Sequence, residues 1–425
     1  MKRHLLTICA ILLCSILFGQ ETFPIMAWGD LGWAHDRSTD PALYEEMREC
    51  GFTIAGFASS DAQIEAAAKG GVKVLFHDGG SVSNRDWLNP APDKWREEVR
   101  PVIEKYKDNP AVYGYYVKDE PTHVELPGVF AMADLLKELA PGKLAYVNLF
   151  SNSTQVYNYE PDTYAQYTER VFASPLQVSG FDQYVFYHDG YMRNTFYSCM
   201  GIHREMALKY KKEWWYCALG IAHRYYAVPT RVQLAHQAYA ALAYGAKGLS
   251  WFTYLPVGLT GWHSSPLDDF LERTPVWYDM KFVNRSIQNI AYILNHLRSD
   301  RVYHFGSTVP ETDERVPGPD ENSLIKGMEN TGNWLVGEFT HEESGERYLI
   351  IVNKNLTAPV ECKPIWRGKE PARILSHHVS RKSEMPFNRK PNDTNIIPPG
   401  MGVLIHVVYD RMPPPSQACC SPPSA

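Results

Sequence analysis

Residues 111–121 read Ala-Val-Tyr-Gly-Tyr-Tyr-Val-Lys-Asp-Glu-Pro, a β-branched and aromatic run that ends in two acids and a proline. Such a run predicts a buried strand. Pro121 cannot continue a sheet ladder, so Asp119 and Glu120 should lie at the carboxyl end of the strand. Because side chains alternate along a strand, Glu120 is expected on the same face as Tyr116 and Lys118. We interpret this strand end as a candidate site; a solvated pair of acids is the alternative.

Strand-like and helix-like segments alternate through the first 300 residues. The predicted strands cover residues 23–30, 51–57, 72–77, 111–118, 144–149, 178–184, 214–219 and 249–254. Eight strand–helix units in about 280 residues predict an α/β fold, a (β/α)₈ TIM barrel, whose active site lies at the carboxyl ends of the strands. A doubly wound sheet is the alternative, although no glycine-rich phosphate turn follows the first strand.

The pattern changes near residue 300. Short alternating runs separated by turn residues predict a small all-β sandwich over residues 301–410. Residues 411–425 are rich in proline and serine, and we expect this tail to be disordered. The barrel itself is therefore predicted to occupy residues 21–300.

The amino terminus predicts export. A basic start, Met-Lys-Arg-His, precedes the apolar run from Leu5 to Phe18, which is too short for a membrane-spanning helix. We interpret residues 1–20 as a signal peptide cleaved near Gly19, and the protein as secreted or periplasmic in a bacterium. Cys14 leaves a lipoprotein anchor as an alternative, but Leu13 precedes it where such sites prefer a small residue.

Composition narrows the possible partners. The formal net charge is −6 and the charges are scattered without a basic stripe, so nucleic acid is not an expected partner. Nothing after residue 20 resembles a membrane span, and we expect a monomer without stable membrane insertion. The pairs His35-Asp36 and His77-Asp78 lack a third ligand at usable spacing, so no metal or other cofactor is expected. The 26 tyrosines and 11 tryptophans suit carbohydrate binding, although such rings also fill protein cores.

Four passages together resemble the secreted (β/α)₈ glycoside hydrolases related to clan A. They are Gly-Tyr-Tyr-Val-Lys-Asp-Glu-Pro at 114–121, Ser-Gly-Phe-Asp-Gln-Tyr at 179–184, residues 240–254, and Pro-Pro-Gly-Met-Gly-Val-Leu at 398–404. The resemblance implies hydrolysis of a glycosidic bond in an oligo- or polysaccharide. It also implies a general acid at the end of strand four, a role that maps onto Glu120.

The sequence departs from that family at strand seven. Clan A enzymes carry a glutamate nucleophile at the end of this strand, whereas here Glu213 stands at its start and no acid occurs from Trp214 through Leu267. An inverting mechanism would instead need a base whose carboxyl lies about 6.5–9.5 Å from the acid. Asp182 is the first choice for that base, with Asp30 and Asp78 as alternatives.

The adjacent acids at strand four allow a second route. Asp119 could orient an N-acetyl group of the substrate, which attacks, while Glu120 donates the proton; such substrate assistance is a recognised exception to the two-carboxylate scheme. The role of acid requires a raised pKa at Glu120. We expect Lys118 to pair with Asp182 or Asp30 rather than with Glu120.

Strand ends and loops supply the candidate substrate-binding residues. They are Trp28, Asp30, His77, Tyr116, Asn148, Tyr184, His223, Trp251 and Tyr254. His223 and Arg224 follow strand seven and could bind substrate or simply lie on the surface.

Two other functions remain open from the sequence. A barrel that has lost its nucleophile could bind carbohydrate without cleaving it. A polysaccharide lyase would instead use a tyrosine or histidine to abstract a proton and would leave an unsaturated product.

Overall fold

A computed structural model describes residues 22–306, 316–377, 383–387 and 395–409 of the 425-residue chain. The expected signal peptide at residues 1–20 and the expected tail at 411–425 lie outside the described residues. Among the helices that the structure does describe, none combines the length and apolar character needed to cross a bilayer.

Eight parallel strands close into a barrel, as the alternating segments predict. The strands β1 to β8 are Ile25–Trp28, Ile54–Ala58, Lys73–Phe76, Val112–Asp119, Leu144–Leu149, Val178–Asp182, Glu213–Leu219 and Gly248–Phe252. Each strand pairs with the next, and β1 pairs with β8 to complete the ring. A short 3₁₀ helix, Leu31–Thr39, follows β1.

Helices form the outer layer, and local sequence signals set where several of them begin. The helices α1 to α9 are Pro41–Glu49, Asp61–Gly70, Pro92–Tyr106, Leu126–Leu139, Tyr164–Ala173, Phe196–Tyr210, Arg231–Ala243, Pro275–Gln288 and Ala291–Leu294. The side chain of Asp40 caps α1 ahead of Pro41. Capping boxes at Thr163 and Thr230 start α5 and α7.

The barrel interior is filled by large side chains that face small ones. Tyr146 and Trp215 are fully buried within it, together with Met26 and Leu75. A β-carbon on Gly180 would collide with the Tyr146 hydroxyl, so only glycine leaves room for that ring. Such packing makes the barrel a solid core, and the strand ends above it become the floor of any site.

The carboxyl-terminal region is a six-stranded antiparallel sheet. Its strands are β9 (Leu297–Phe305), β10 (Trp334–His341), β11 (Arg347–Asn353), β12 (Arg373–His377), β13 (Glu384–Pro386) and β14 (Gly402–Val408). The order across the sheet is β9-β10-β11-β14-β12-β13. Two further strand pairs, Ile325–Met328 with Pro364–Trp366 and Val360–Glu361 with Ile396–Ile397, accompany it.

This sheet packs on helix α7 of the barrel. Gly337 lies against the carbonyl of Ala243, and Gly402 lies against the ring of Tyr239, so neither position leaves space for a side chain. The expected combination of a barrel and an all-β region is therefore confirmed.

Candidate active site

Strand β4 loses its regular alternation just before its end. Its pairing with β5 shifts between Tyr116 and Lys118, so Tyr116 and Asp119 both face the barrel interior. Glu120 then adopts a left-handed backbone with φ 43°, a conformation uncommon outside glycine, while its N–H donates to the carbonyl of Asn148 at 2.7 Å. Bulges and positive φ values redirect side chains, and here they bring both consecutive acids into the barrel mouth.

Three carboxyl groups meet in that mouth. Glu120 lies near Asp182, which ends β6, and each of the two carboxyl groups influences the pKa of the other. Between the strands, the buried amide of Asn148 donates from Nδ2 to Asp182 Oδ1 at 3.0 Å and to Asp119 Oδ1 at 3.3 Å. Asn148 therefore holds two carboxyl groups of the cluster, while its own Oδ1 has no hydrogen-bond partner.

Burial raises the pKa of every member of this cluster, and repulsion from neighbouring carboxylates adds to it at Glu120 and Asp182. The pKa of Glu120 rises to about 7, mainly through burial and secondly through the charge of Asp119. Burial, together with the charges of Glu120 and Asp119, lifts the pKa of Asp182 well above its usual range. Burial also raises the pKa of Asp119, against the opposing hydrogen bond from Asn148. Three such carboxyl groups cannot all ionise at neutral pH, so the cluster retains a proton there.

Lys118 does not pair with Asp182 or Asp30, contrary to the expectation from sequence. Its Nζ lies 3.6 Å from Glu125 Oε1, just before helix α4. The shifted pairing in β4 turns Lys118 away from the cluster. Glu120 therefore keeps its raised pKa, and the positive charge of Lys118 opposes it only as a minor contribution.

The inverting pair of Glu120 and Asp182 stays a prediction. Such a pair is separated by about 6.5–9.5 Å to admit a water molecule. In the structure each of these two carboxyl groups influences the pKa of the other.

Aromatic side chains border the carboxyl cluster. The ring of Tyr184 stacks on Phe252 at 5.5 Å, and Trp28 contacts Phe252 edge-on at 5.2 Å. Trp28 Nε1 is a buried donor without a partner, which suits a hydroxyl or carbonyl of a bound molecule. Tyr116 lies below, stacked on Phe57 at 4.1 Å.

Two expected binding residues lie between the strands and the helices of the barrel rather than at its mouth. Trp251 is fully buried and donates from Nε1 to Asn284 of α8 at 2.9 Å. Tyr254 is also buried, and its hydroxyl accepts from Trp277 of the same helix at 2.9 Å. Both side chains pack between strand and helix and cannot reach the mouth. The expectation that they bind substrate is wrong.

Phe252 is the ring at this edge that the sequence reasoning missed. Strand alternation contained the signal, because β8 residues two apart share a face and Trp251 must then face opposite to Phe252.

The residues at the ends of β1 and β3 form the other side of the mouth. The imidazole of His77 contacts the Tyr116 ring edge-on at 5.2 Å, and burial lowers its pKa, so the ring is neutral at pH 7. Asp30 accepts from the N–H of Gly32 at 2.7 Å. Asp78 accepts from the N–H groups of Gly80 and Ser81 and is held in its own turn, which makes it a poor base.

His223 lies four residues after the end of β7. It is buried, and it stacks on Trp262 with ring centroids 4.1 Å apart. Burial lowers its pKa to about 4, so it is neutral, and its Nδ1 has no partner. Arg224 is exposed, with φ 53°. Among the residues that the structure describes, no three histidine, cysteine or acidic side chains are grouped to hold a metal ion.

No protein-family model and no curated protein sequence matches the chain. Solved structures do resemble it. A glycoside hydrolase family 5 protein from Bacteroides vulgatus superposes with a TM-score of 0.55 at 12% identity, covering 91% of this chain and 89% of its own. Another structure, described only as a glycoside hydrolase, has a TM-score of 0.55 at 13% identity, with coverage of 92% and 93%. At such identity the likeness establishes the fold, which is a (β/α)₈ barrel followed by an all-β region.

Proposed function

We propose that the protein is a glycoside hydrolase in which Glu120 is the general acid. The observation that carries this proposal is the pair Asp119-Glu120, two consecutive carboxyl groups that both enter the barrel mouth, with the pKa of Glu120 raised to about 7. A carboxyl group with that pKa is still partly protonated at neutral pH and can protonate a leaving oxygen. The two solved structures with this fold, both named as glycoside hydrolases, support the same reaction class.

The geometry favours a substrate-assisted course. Glu120 gives its proton to the glycosidic oxygen while the bond from that oxygen to the anomeric carbon breaks. The carbonyl oxygen of the substrate's 2-acetamido group bonds to the anomeric carbon, and Asp119 accepts a hydrogen bond from the acetamido N–H. Glu120, now ionised, takes a proton from a water molecule that attacks the same carbon. The bond between that carbon and the acetamido oxygen breaks, which opens the ring that the acetamido group had closed. The product retains its anomeric configuration, and no strand-seven nucleophile is needed.

The remaining polar groups of the mouth have supporting roles in this scheme. Asn148 orients Asp119 and Asp182, and Asp182 shares the proton of Glu120. Trp28 Nε1 and Asn148 Oδ1 are available for sugar hydroxyl groups. We also propose, from the sequence of the amino terminus, that the protein acts outside the cytoplasm of a bacterium.

The test compares substrates that differ only in the 2-substituent. The wild-type protein should hydrolyse aryl 2-acetamido-2-deoxyglycosides and not the matching 2-hydroxy glycosides. Asp119→Asn should lower kcat about a hundredfold on the acetamido substrate, in the range of a lost charge-stabilising group. Equal turnover of both substrates, or an inverted product by NMR, would overturn substrate assistance.

Carbohydrate binding without turnover is the second candidate. It is favoured by β7, whose one acid, Glu213, stands at the amino end of the strand. Tight glycan binding by wild type and Glu120→Gln alike, with no product from either, would establish it. An unsaturated product with ultraviolet absorbance would instead indicate a lyase.

A further inference from the structure

Four tyrosines on two loops beside the mouth form a continuous surface of rings. This tyrosine ridge consists of Tyr187 and Tyr191, which follow β6, and Tyr225 and Tyr226, which follow β7. The rings of Tyr187 and Tyr225 stack at 5.5 Å and are within 5° of parallel. The rings of Tyr191 and Tyr226 lie 5.2 Å and 4.9 Å, respectively, from the ring of Tyr187. Tyr191 is 47% exposed and Tyr225 is 48% exposed, so the ridge offers ring surface to a ligand.

The ridge is continuous with the candidate active site. The ring of Tyr226 lies 5.6 Å from Tyr184 and 4.9 Å from His223. Tyr184 stands two residues after Asp182 of the carboxyl cluster. A row of rings therefore extends from the reacting position outward along one rim of the barrel.

Hydrogen bonds hold the two loops together. The backbone N–H of His188 donates to the carbonyl of Tyr225 at 3.0 Å, and that of Ala227 donates to the carbonyl of Phe186 at 3.0 Å. The guanidinium of Arg193 also links the loops.

Arg193 contacts three members of this region at once. It donates to the carbonyl of Tyr184 at 2.8 Å, to the hydroxyl of Tyr226 at 2.8 Å and to the hydroxyl of Tyr187. The ridge is thus ordered before a ligand arrives, which lowers the entropy cost of binding.

We propose that the tyrosine ridge binds the sugar units of an oligo- or polysaccharide beyond the unit held over Asp119 and Glu120. This inference rests on the proposed function and extends it, because it makes the substrate a chain rather than a single glycoside. Sugar rings have apolar C–H faces and polar hydroxyl rims, and a tyrosine offers a flat apolar ring with a hydroxyl at its tip.

The experiment varies the ridge and the length of the ligand together. Tyr225→Ala and Tyr191→Ala are compared with Tyr278→Ala, a change at a 55% exposed tyrosine on the outer helix α8. The probes are N-acetylglucosamine oligomers of increasing length and an aryl N-acetylglucosaminide. For the ridge variants, the loss of kcat/KM should grow with chain length and reach about tenfold for long oligomers, through KM rather than kcat. The Tyr278 variant should match wild type on every probe.

Two outcomes would overturn the proposal. One is an equal change on short and long probes, and the other is no change on the long oligomers. Calorimetric binding of the same oligomers to Glu120→Gln, with and without Tyr225→Ala, separates this proposal from the hydrolase assignment. Length-dependent binding without hydrolysis by wild type would overturn the assignment and support the ridge. Hydrolysis with unchanged binding would overturn the ridge alone.

Discussion

The two ends of the barrel each contain an acid whose pKa is raised by burial, yet we propose a functional site at only one of them. At the amino end, Glu213 has a raised pKa through burial, with the charge of Lys247 opposing it. At the carboxyl end, Glu120 is raised by burial and also by a neighbouring acid. A single acid with a raised pKa reflects its local surroundings, whereas several acids that raise one another's pKa are typical of functional sites.

Hydrogen-bond satisfaction separates the two ends as well. The ammonium of Lys247 donates to three carbonyls at the amino end, those of Leu294, Asn295 and Leu297. Lys143 donates in the same way to the carbonyls of Asn109 and Val112. These charges stabilise the ends of the chain segments around them.

The mouth differs, because its buried polar atoms include several that lack a partner. They are Trp28 Nε1, Asn148 Oδ1 and His223 Nδ1. A cavity of about 730 Å³, lined by Arg48, Lys73 and Arg285, opens at the amino end. The site that we propose therefore lies away from that cavity, and it is identified by the convergence of functional groups.

The largest expected effect tests the comparison between the two ends of the barrel. Glu120→Gln should lower kcat/KM on an unactivated glycoside by about 10²–10⁴-fold, since the proton donor is lost. Glu213→Gln removes the acid with a raised pKa at the other end and should change activity less than twofold. A substrate with a strongly activated aryl leaving group should restore turnover by Glu120→Gln, because such a group departs without a proton. Steady-state kinetics on the two kinds of substrate measure this. Similar losses in both variants would make Glu120 merely structural.

A second prediction applies the comparison within strand β8. Phe252→Ala should raise KM several-fold with little loss of stability, because its ring borders the mouth. Trp251→Ala should lower the free energy of unfolding by about 3–5 kcal/mol, because its ring fills the space between strand and helix. Denaturant unfolding and kinetics on both variants measure the contrast. A selective KM effect in the Trp251 variant would mean that the two faces are assigned the wrong way round.

The third prediction concerns the residue that positions the acids. Asn148→Ala removes the donor shared by Asp119 and Asp182, which raises the pKa of Asp119, so the pH below which activity falls should shift upward. The rate should drop about tenfold or more, as for a lost hydrogen bond to a charged group. Asn109→Ala, at the amino end, is the control. A reduced rate with an unchanged pH profile would assign Asn148 a purely structural role.

The smallest expected effect is on stability. The pKa of Glu120 is raised in the folded state, so folding binds a proton that the unfolded chain releases near its ordinary pKa. This contribution is fully present below the ordinary pKa and is lost as the pH rises through about 7.

Activity that requires protonated Glu120 should fall across the same range. At a pH above 7, Glu120→Gln should raise Tm by about 2–4 °C, because it removes repulsion within the cluster. Scanning calorimetry of both proteins at acidic and alkaline pH measures this. If the variant and the wild type have the same Tm at each pH, the result contradicts the raised pKa.

Much of the fold was predictable from sequence because hydrophobic periodicity and capping residues are local signals. The strand at 144–149 has the predicted bounds, and the other barrel strands differ by a few residues at their ends. In place of the expected sandwich, the structure has one six-stranded sheet with short strand pairs. Local sequence patterns do not specify which strands pair with one another across a sheet.

The sequence by itself determined the barrel, its all-β companion and the strand that ends in Asp119 and Glu120. Composition, alternation and a proline after two acids are enough for these inferences. Which groups meet was decided only by the tertiary structure. The shifted pairing of β4 and the left-handed backbone of Glu120 join that acid to Asp182, and they turn Lys118 away. Such features depend on contacts between strands far apart in the chain, which local sequence patterns do not encode.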